Sequence, residues 1–542
     1  MIKTSPKPGS DADQTARRRL RLLFAAAEEK RRPHEDELAE AFDLVKPIRE
    51  WRPYRSRSRP DRTQMVDATL VRMARNLVTN TIRLLIPPNG QWAKLTGKTD
   101  VLEDKVQQAF PNEVRAANDK LFRHFIDSNF YLATTEALYD GIIGGTFGIM
   151  FNDQEGEPLN YLAVPSDELF FLESHDGNVD TVFRRHDLTA RQIVQRFGED
   201  NVLDSIKRAL SENPTRKFCL LESVVPDGDG FEHRVSLGES DSFEKITDSQ
   251  RCLANPFVVA RWERMLGHVW GNSPVRDALQ HQRVANAIRS DILKFGSFVA
   301  GGLWQVNDET VNTENLSGKL LPGSVIATDE PLQPVPFPGQ FNLTFGMLDA
   351  EREAMKHLMF DSTPPSEDAL KYMNDVAVSF LRQEFLSQVG EPAQRLQREY
   401  LQPIADQALG RLMVRGEIKS ITPEQVRRLN VEGVSTQQDL FRVDVNAAIQ
   451  RAQAAQEAQE IASGVSTAQQ IFGPQQIALH VDVDKATRKT LIGLGVPEDM
   501  LRSGAAVKRI KDQQESEQEA QLAFSSLLAQ SGIAPQPTRQ VA

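Results

Sequence analysis

The segment GNSPVRDALQHQRVANAIRSDILKFGSFVAGG, residues 271–302, constrains this chain more than any other. It reads as one long helix with explicit punctuation. Ser273 offers a capping hydroxyl, and Pro274 sits in the first turn, where a missing N–H costs nothing. Val284, Ile288, Ile292, Phe295 and Val299 recur at helical spacing and draw one apolar stripe. Gly301 and Gly302 supply the stop. At a rise of 1.5 Å per residue the helix is roughly 40 Å long. Its other face carries Arg276, His281, Arg283, Arg289 and Lys294, mixed with Asp277 and Asp291. So long a helix with so narrow a stripe packs against neighbours along its length. That suits a helical wall better than an enzyme pocket.

A length of 542 residues predicts more than one domain and a sizeable core. The only cysteines, Cys219 and Cys252, fit a reducing compartment and argue against a disulfide framework or a zinc site. No apolar run approaches the roughly 20 residues of a membrane span. LRLLFAAA (20–27) resembles a short signal core, but EEKRR follows it directly, so an amphipathic helix is expected. Net charge is −11 and unevenly spread: residues 1–63 hold 16 Lys/Arg against 11 Asp/Glu, or +5, which leaves −16 for the remainder. An acidic body fits a protein that avoids nucleic acid, and equally a conduit along which a polyanion slides without sticking. Composition does not choose between the two.

Along the chain, residues 1–15 are expected to be disordered, and 16–50 helical with interruptions at Pro33 and Pro47. WRPYRSRSRPDR (51–62) is a basic loop, either solvated or in contact with nucleic acid or a partner. Val66, Leu70, Met73, Leu77 and Leu84–Ile86 mark an amphipathic helix ended by Pro87-Pro88. A helix pair broken near Pro111 is expected over 101–140. FGIMF, NYLAV, LFFLES and DTVFRRH (147–186) predict an antiparallel meander. A capped helix from Thr189 to Gly198 and strands at 217–225, 231–236 and 257–262 follow. Residues 303–345 are rich in Gly and Pro with short apolar runs. Helix returns at 346–360 and over roughly 370–415, and 446–462 is strongly helix-forming.

Motifs for enzymatic chemistry are missing. Gly97-Lys98-Thr99 ends like a phosphate-binding loop, but Trp92 stands where the first glycine belongs. Gly141, Gly144, Gly145 and Gly148 do not match a dinucleotide fingerprint and instead suggest close helix–strand packing. His480, Asp482 and Asp484 alternate and could present ligands on one strand face; a solvated edge strand explains the pattern equally well. No catalytic residue, metal or cofactor is assigned.

Taken in order, several segments resemble the portal, or head-to-tail connector, proteins of short-tailed double-stranded DNA phages. The resemblance runs from about residue 35 to 515. LVRMARNLVTNTIRLLIPPNGQWAKL resembles the family's N-terminal helix with its L-x-P-x-x-x-x-W-x-x-L exit. The strand block with LTARQIVQRFG resembles its wing. NPFVVARWERMLGHVWGNSPVRDAL resembles the approach to the stem helix, with Trp270 replacing the usual Tyr. VDVDKATRKTLIGLGVPEDMLRSGAAVKRI resembles the crown.

The resemblance implies an α+β multidomain portal fold. It would comprise a partly disordered arm (1–34), a wing (35–270), stem helix one (271–300), a clip (301–343) and stem helix two (344–360). A tunnel loop (361–371, with Thr363, Pro364, Pro365 and Ser366), a long helix returning to the wing (372–444), a crown (445–515) and a tail (516–542) would follow. It further implies a homo-oligomeric ring of about twelve copies at one capsid vertex of the virion, assembled in the host cytoplasm. Implied partners are the terminase large subunit, the tail adaptor, the major capsid and scaffolding proteins, and double-stranded DNA held nonspecifically; no membrane is implied. Val284, Ile288, Ile292 and Phe295 are candidates for the ring interface. Phe337 and Phe341 are candidate partner anchors in the clip, or pack within it. Arg352, Lys356 and Lys371 are candidates to face DNA in the channel, or to bridge neighbouring subunits. Another oligomeric virion protein, such as a tail or internal core component, is the alternative.

Overall fold

In the computed structural model the described residues are 11–46, 66–88, 91–97, 111–152, 157–238, 243–244, 246, 249–301, 304–306, 325–327, 341–360, 389–418, 441–445, 457–458, 460–468, 471, 481–493 and 513. They fall in two compact units, Met1–Asn446 and Ala447–Ala542. The fold is mixed α+β, and its larger sheets are antiparallel.

Helix α1 (Asp11–Arg31) begins inside the stretch expected to be disordered. Its apolar side is the reason: Leu20, Phe24 and Ala27 are buried against Phe170, Phe183, Leu221 and Val225. Each large apolar side chain so covered stabilises by about 1.5–3 kcal/mol. LRLLFAAA is therefore a packed amphipathic helix. A 3₁₀ turn at Arg32–His34 carries Pro33, and α2 (Glu35–Val45) follows. Helix α3 (Thr69–Leu85) starts three residues later than its apolar periodicity suggested, because Asp67 accepts a hydrogen bond from the Thr69 amide and turns the chain first. Strand β1 (Lys94–Gly97) precedes α4 (Pro111–Asp127) and α5 (Phe130–Gly144). Pro111 opens α4, as its fixed φ and missing N–H allow, while the part of the expected helix pair before it, 101–110, lies outside the described residues; a further break lies at Ser128-Asn129, where the Ser128 hydroxyl accepts from the Phe130 amide.

The strand-rich middle forms two sheets, not the one meander expected. Strand β2 (Thr146–Phe151) is buried along its whole length and needs a partner on each edge. It pairs with β3 (Tyr161–Val164) and, across a long sequence gap, with the strand at Phe257–Arg261. Strands β4 (Leu169–Glu173), β5 (Val179–Thr189), β6 (Lys217–Asp227), β7 (Gly230–Leu237) and β8 (Gln250–Cys252) form the true five-stranded meander. The Phe257–Arg261 strand is β9. Between β5 and β6 lie α6 (Ala190–Phe197) and α7 (Asp204–Glu212). As the sequence predicts, Thr189 caps α6: its hydroxyl and the Gln192 amide satisfy each other's backbone in a capping box, and Gly198 ends the helix at φ 81°.

The hairpin β10 (Glu263–Arg264) and β11 (Gly271–Asn272) leads into α8 (Pro274–Gly301). Short parallel strands β12 (Trp304–Val306) and β13 (Val325–Ala327) precede α9 (Phe341–Leu358). Helix α10 (Gly390–Leu396) runs through a π-helical turn at Gln397–Leu401 into α11 (Gln402–Val414). Strand β14 (Phe441–Asp444) pairs with β1. In the second unit, α12 (Val483–Gly493) corrects the strand reading of His480–Asp484. Asp482 accepts from the Lys485 amide and caps this helix, so 481–484 form no strand; His480 lies outside the described residues.

Candidate stem and subunit-contact site

The first turn of α8 is anchored tightly in the body. The Ser273 hydroxyl donates to the Ile143 carbonyl (2.8 Å) and accepts from the Arg276 amide (3.1 Å), the cap expected from sequence. Gly145 (φ +82°) lies so close to the chain entering α8 that a Cβ there would stand 2.5 Å from the Gly271 carbonyl. Trp270, fully buried, packs on Phe171 with ring centroids 5.0 Å apart.

Farther along, the charged residues of α8 pair with their own subunit. Arg276 bridges to Glu37, Arg283 to Glu40, and His281 to Glu351 on α9 (2.7 Å). Three of the charges on that face of α8 are thus engaged within the chain itself.

The centre of the grip is Asp67, completely buried at the start of α3. Its Oδ2 accepts from Arg352 of α9 (2.7 Å) and Arg289 of α8 (3.3 Å), and its Oδ1 from the Thr69 amide (2.8 Å). Its backbone is held too: Asn286 Oδ1 accepts from the Asp67 amide (2.8 Å), and Gln282 donates to the Asp67 carbonyl (2.8 Å). Burial alone would raise the carboxyl, but the Thr69 and Arg352 hydrogen bonds outweigh it and hold it at about 2. One carboxylate thus ties both helices of the α8–α9 hairpin to α3.

The apolar stripe has a mixed fate. His281, which touches α9, stands seven and eleven residues before Ile288 and Ile292, so all three lie on one side of α8. Ile288 and Ile292 are partly covered there, whereas Val284 and Phe295 remain 41% exposed. Leu293, nine residues from Val284 and therefore half a turn round the helix, is 57% exposed. Phe345 and Met347 of α9 are also about half exposed. The hairpin therefore offers apolar side chains on opposed faces.

Of the channel candidates, Arg352 is committed to Asp67, and Lys356 to Glu353 one turn away (2.6 Å). Lys371, Phe337 and the tunnel-loop residues Thr363–Ser366 lie outside the described residues; Phe341 is the first residue of α9.

Sequence reasoning missed three buried polar hubs. Asp67 could have been found as an Asp just before an apolar-periodic helix. Arg261 of β9, 1% exposed, is held by Glu399 through both carboxylate oxygens, by Glu173 and by the Gly177 carbonyl. Glu399 sits in the π-helical turn, which nothing local in the sequence announces. Glu222 of β6 lies fully buried among Arg196, His186 (3.3 Å) and His233 (3.6 Å). Burial favours its neutral acid, but His233 and Arg196 prevail and keep the carboxyl well below its usual range. Burial, then the Arg184 charge, push His186 down to about 4.

The body thus grips a helical hairpin through a buried carboxylate and leaves apolar side chains exposed on both sides of it. The chain belongs to the bacteriophage head to tail connecting protein family, whose model matches residues 17–501. It is 26% identical over 270 residues to the portal protein of Salmonella phage epsilon15, covering 46% of this chain and 47% of that protein. It is 22% identical over 418 residues to the probable portal protein of Bordetella phage BPP-1, covering 70% and 71% respectively. The chain thus spans about half the length of the first relative and about seven-tenths of the second. None of these names denotes an enzymatic activity. Among the described residues no helix is long and apolar enough to cross a membrane, and no group of three or more His, Cys, Asp or Glu is arranged to hold a metal.

Proposed function

We propose that this chain is the portal subunit of a phage virion, closing into a ring of about twelve copies at one capsid vertex. The ring passes double-stranded DNA inward during packaging and outward at ejection. It docks the terminase large subunit first and the tail adaptor afterwards, within a shell of capsid and scaffolding proteins. In this reading residues 35–270 form the wing, 271–300 and 344–360 the stem, 301–343 the clip, 361–371 the tunnel loop, 372–444 the long helix and the return to the wing, and 445–515 the crown, with arm (1–34) and tail (516–542) flanking them.

The observation that carries the ring, beyond the family match, is the pair of opposed exposed apolar positions on α8, Val284 and Phe295 against Leu293. A cyclic assembly needs two different complementary faces on each subunit. Arg352 is assigned to the Asp67 strut, which leaves Lys371 as the leading DNA-facing candidate. Val284→Asp and Leu293→Asp each place a charge in an apolar seam, and should yield monomers or open fragments in native mass spectrometry. Wild-type protein that stays monomeric at micromolar concentration overturns the reading.

A further inference from the structure

The hairpin leading into α8 carries an unusual tip. Its turn is closed by the His268 amide donating to the Met265 carbonyl (3.1 Å), and Gly267 adopts φ +85°. Yet it presents apolar side chains to solvent: Leu266 is 92% exposed and Met265 47%. One side of this tip is fastened by an imidazole pair. His268 Nδ1 lies 3.3 Å from His34 Nε2, with the rings edge-to-face, and His34 Nδ1 lies 3.2 Å from Arg276 Nη2. His34 is 7% exposed, in the 3₁₀ turn between α1 and α2.

Chemistry fixes the protons. A guanidinium can only donate, so His34 Nδ1 must accept. The neutral ring then carries its hydrogen on Nε2 and donates it to His268 Nδ1, which must be an unprotonated acceptor. Arg276 is itself immobilised by Glu37 and by the Gly271 carbonyl (3.0 Å), at the first turn of α8. The Arg276 contact holds only while His34 is neutral: a proton on His34 Nδ1 faces the Arg276 N–H and sets two cations side by side, so the ring must leave the place from which it holds His268.

We propose that His34 and His268 form a proton-sensitive clasp that holds the 263–272 hairpin tip against the α1–α2 turn and releases it when His34 is protonated beside Arg276. The charged and titratable groups facing His34 are Arg276 from α8, His268 from the hairpin and Glu37 from α2. Burial, then the Arg276 and His268 charges, lower His34 to about 4, against a smaller opposing effect of Glu37. Protonation of His34 therefore favours the opened tip, and the closed form loses stability as pH falls from about 6.5 toward 4. The tip that moves is the apolar one, so release changes what Met265 and Leu266 present to the surroundings.

Hydrogen exchange over 263–272 in the full-length protein, corrected for the intrinsic pH dependence of exchange, tests this. Wild-type protection should fall about tenfold between pH about 7.5 and about 5, as expected for the loss of one buried hydrogen bond. His34→Gln keeps an acceptor for Arg276 and a donor for His268 without titrating, and should lose less than about twofold over the same range. His268→Ala removes the exposed partner ring, and should show at pH about 7.5 the protection that wild type shows at pH about 5. Wild-type protection that is constant with pH, or a His268→Ala hairpin as protected as wild type at the higher pH, overturns the proposal.

Discussion

Replacing Asp67 by Asn isolates the charge that binds the α8–α9 hairpin to the body. The side chain keeps its shape, and its oxygen can still accept from the Thr69 amide at 2.8 Å. What is lost is the ionic part of the contacts to Arg352 (2.7 Å) and Arg289 (3.3 Å) at a fully buried site. A carboxyl held at about 2 against an ordinary 3.8 prefers ionisation by about 2.5 kcal/mol more than in the unfolded chain. Asp67→Asn should therefore lower stability by about 2–3 kcal/mol, a melting point about 2–3 °C lower if the unit Met1–Asn446 unfolds as one. The folded pKa is depressed, so this stabilisation is full above pH about 4 and is lost as pH falls toward 2. The assay is calorimetric melting at neutral pH, with Asp67→Asn, Arg352→Gln and the double variant in a cycle. Coupling of at least about 1 kcal/mol is expected. A change within about 0.5 kcal/mol for Asp67→Asn, or no coupling to Arg352, would refute the strut and return Arg352 to the channel candidates.

Gly145→Ala should destabilise by about 2–4 kcal/mol, because the new Cβ meets the Gly271 and Asn272 backbone and φ is +82°; a melt within 1 °C of wild type contradicts this. Thr189→Ala should cost about 1 kcal/mol through loss of the capping box, with faster hydrogen exchange confined to α6 and its neighbours. His186 is buried neutral with its pKa lowered to about 4, so its contribution is full above 6.5 and fades as pH falls toward 4. The melting temperature should drop across that window, and His186→Gln should flatten part of the drop; an equally steep curve excludes His186 as a source. Lys371→Ala should leave ring assembly and melting unchanged but alter genome retention, more so at low salt; a destabilised ring carrying full-length genomes removes Lys371 from the channel.

Local signals made much of the fold readable. The 274–301 helix, the Thr189–Gly198 helix and the strands near 217, 231 and 257 each carry a cap, a stop or a clear period, and the structure has them all. What escaped was set by distant partners. β2 joins β9 rather than the meander because a strand buried on both faces takes whichever edge partner the chain delivers, here more than 100 residues later. The sequence places the α8 charges on one face, but their ion pairing to Glu37, Glu40 and Glu351 depends on where α2 and α9 lie. Periodicity found the apolar stripe without saying what covers it: Ile288 and Ile292 lean toward α9 inside the subunit, while Leu293, off the stripe, is exposed. Buried hubs such as Arg261–Glu399 join residues 138 apart and leave no local trace.

The central claim, a closed ring around a DNA passage, is tested most directly by averaged electron-microscopy views of the purified full-length protein down its symmetry axis. The account predicts closed rings of about twelve subunits with a central opening wide enough for a B-form duplex. Open filaments, compact particles without a pore, or monomers under conditions where the fold is intact would contradict it.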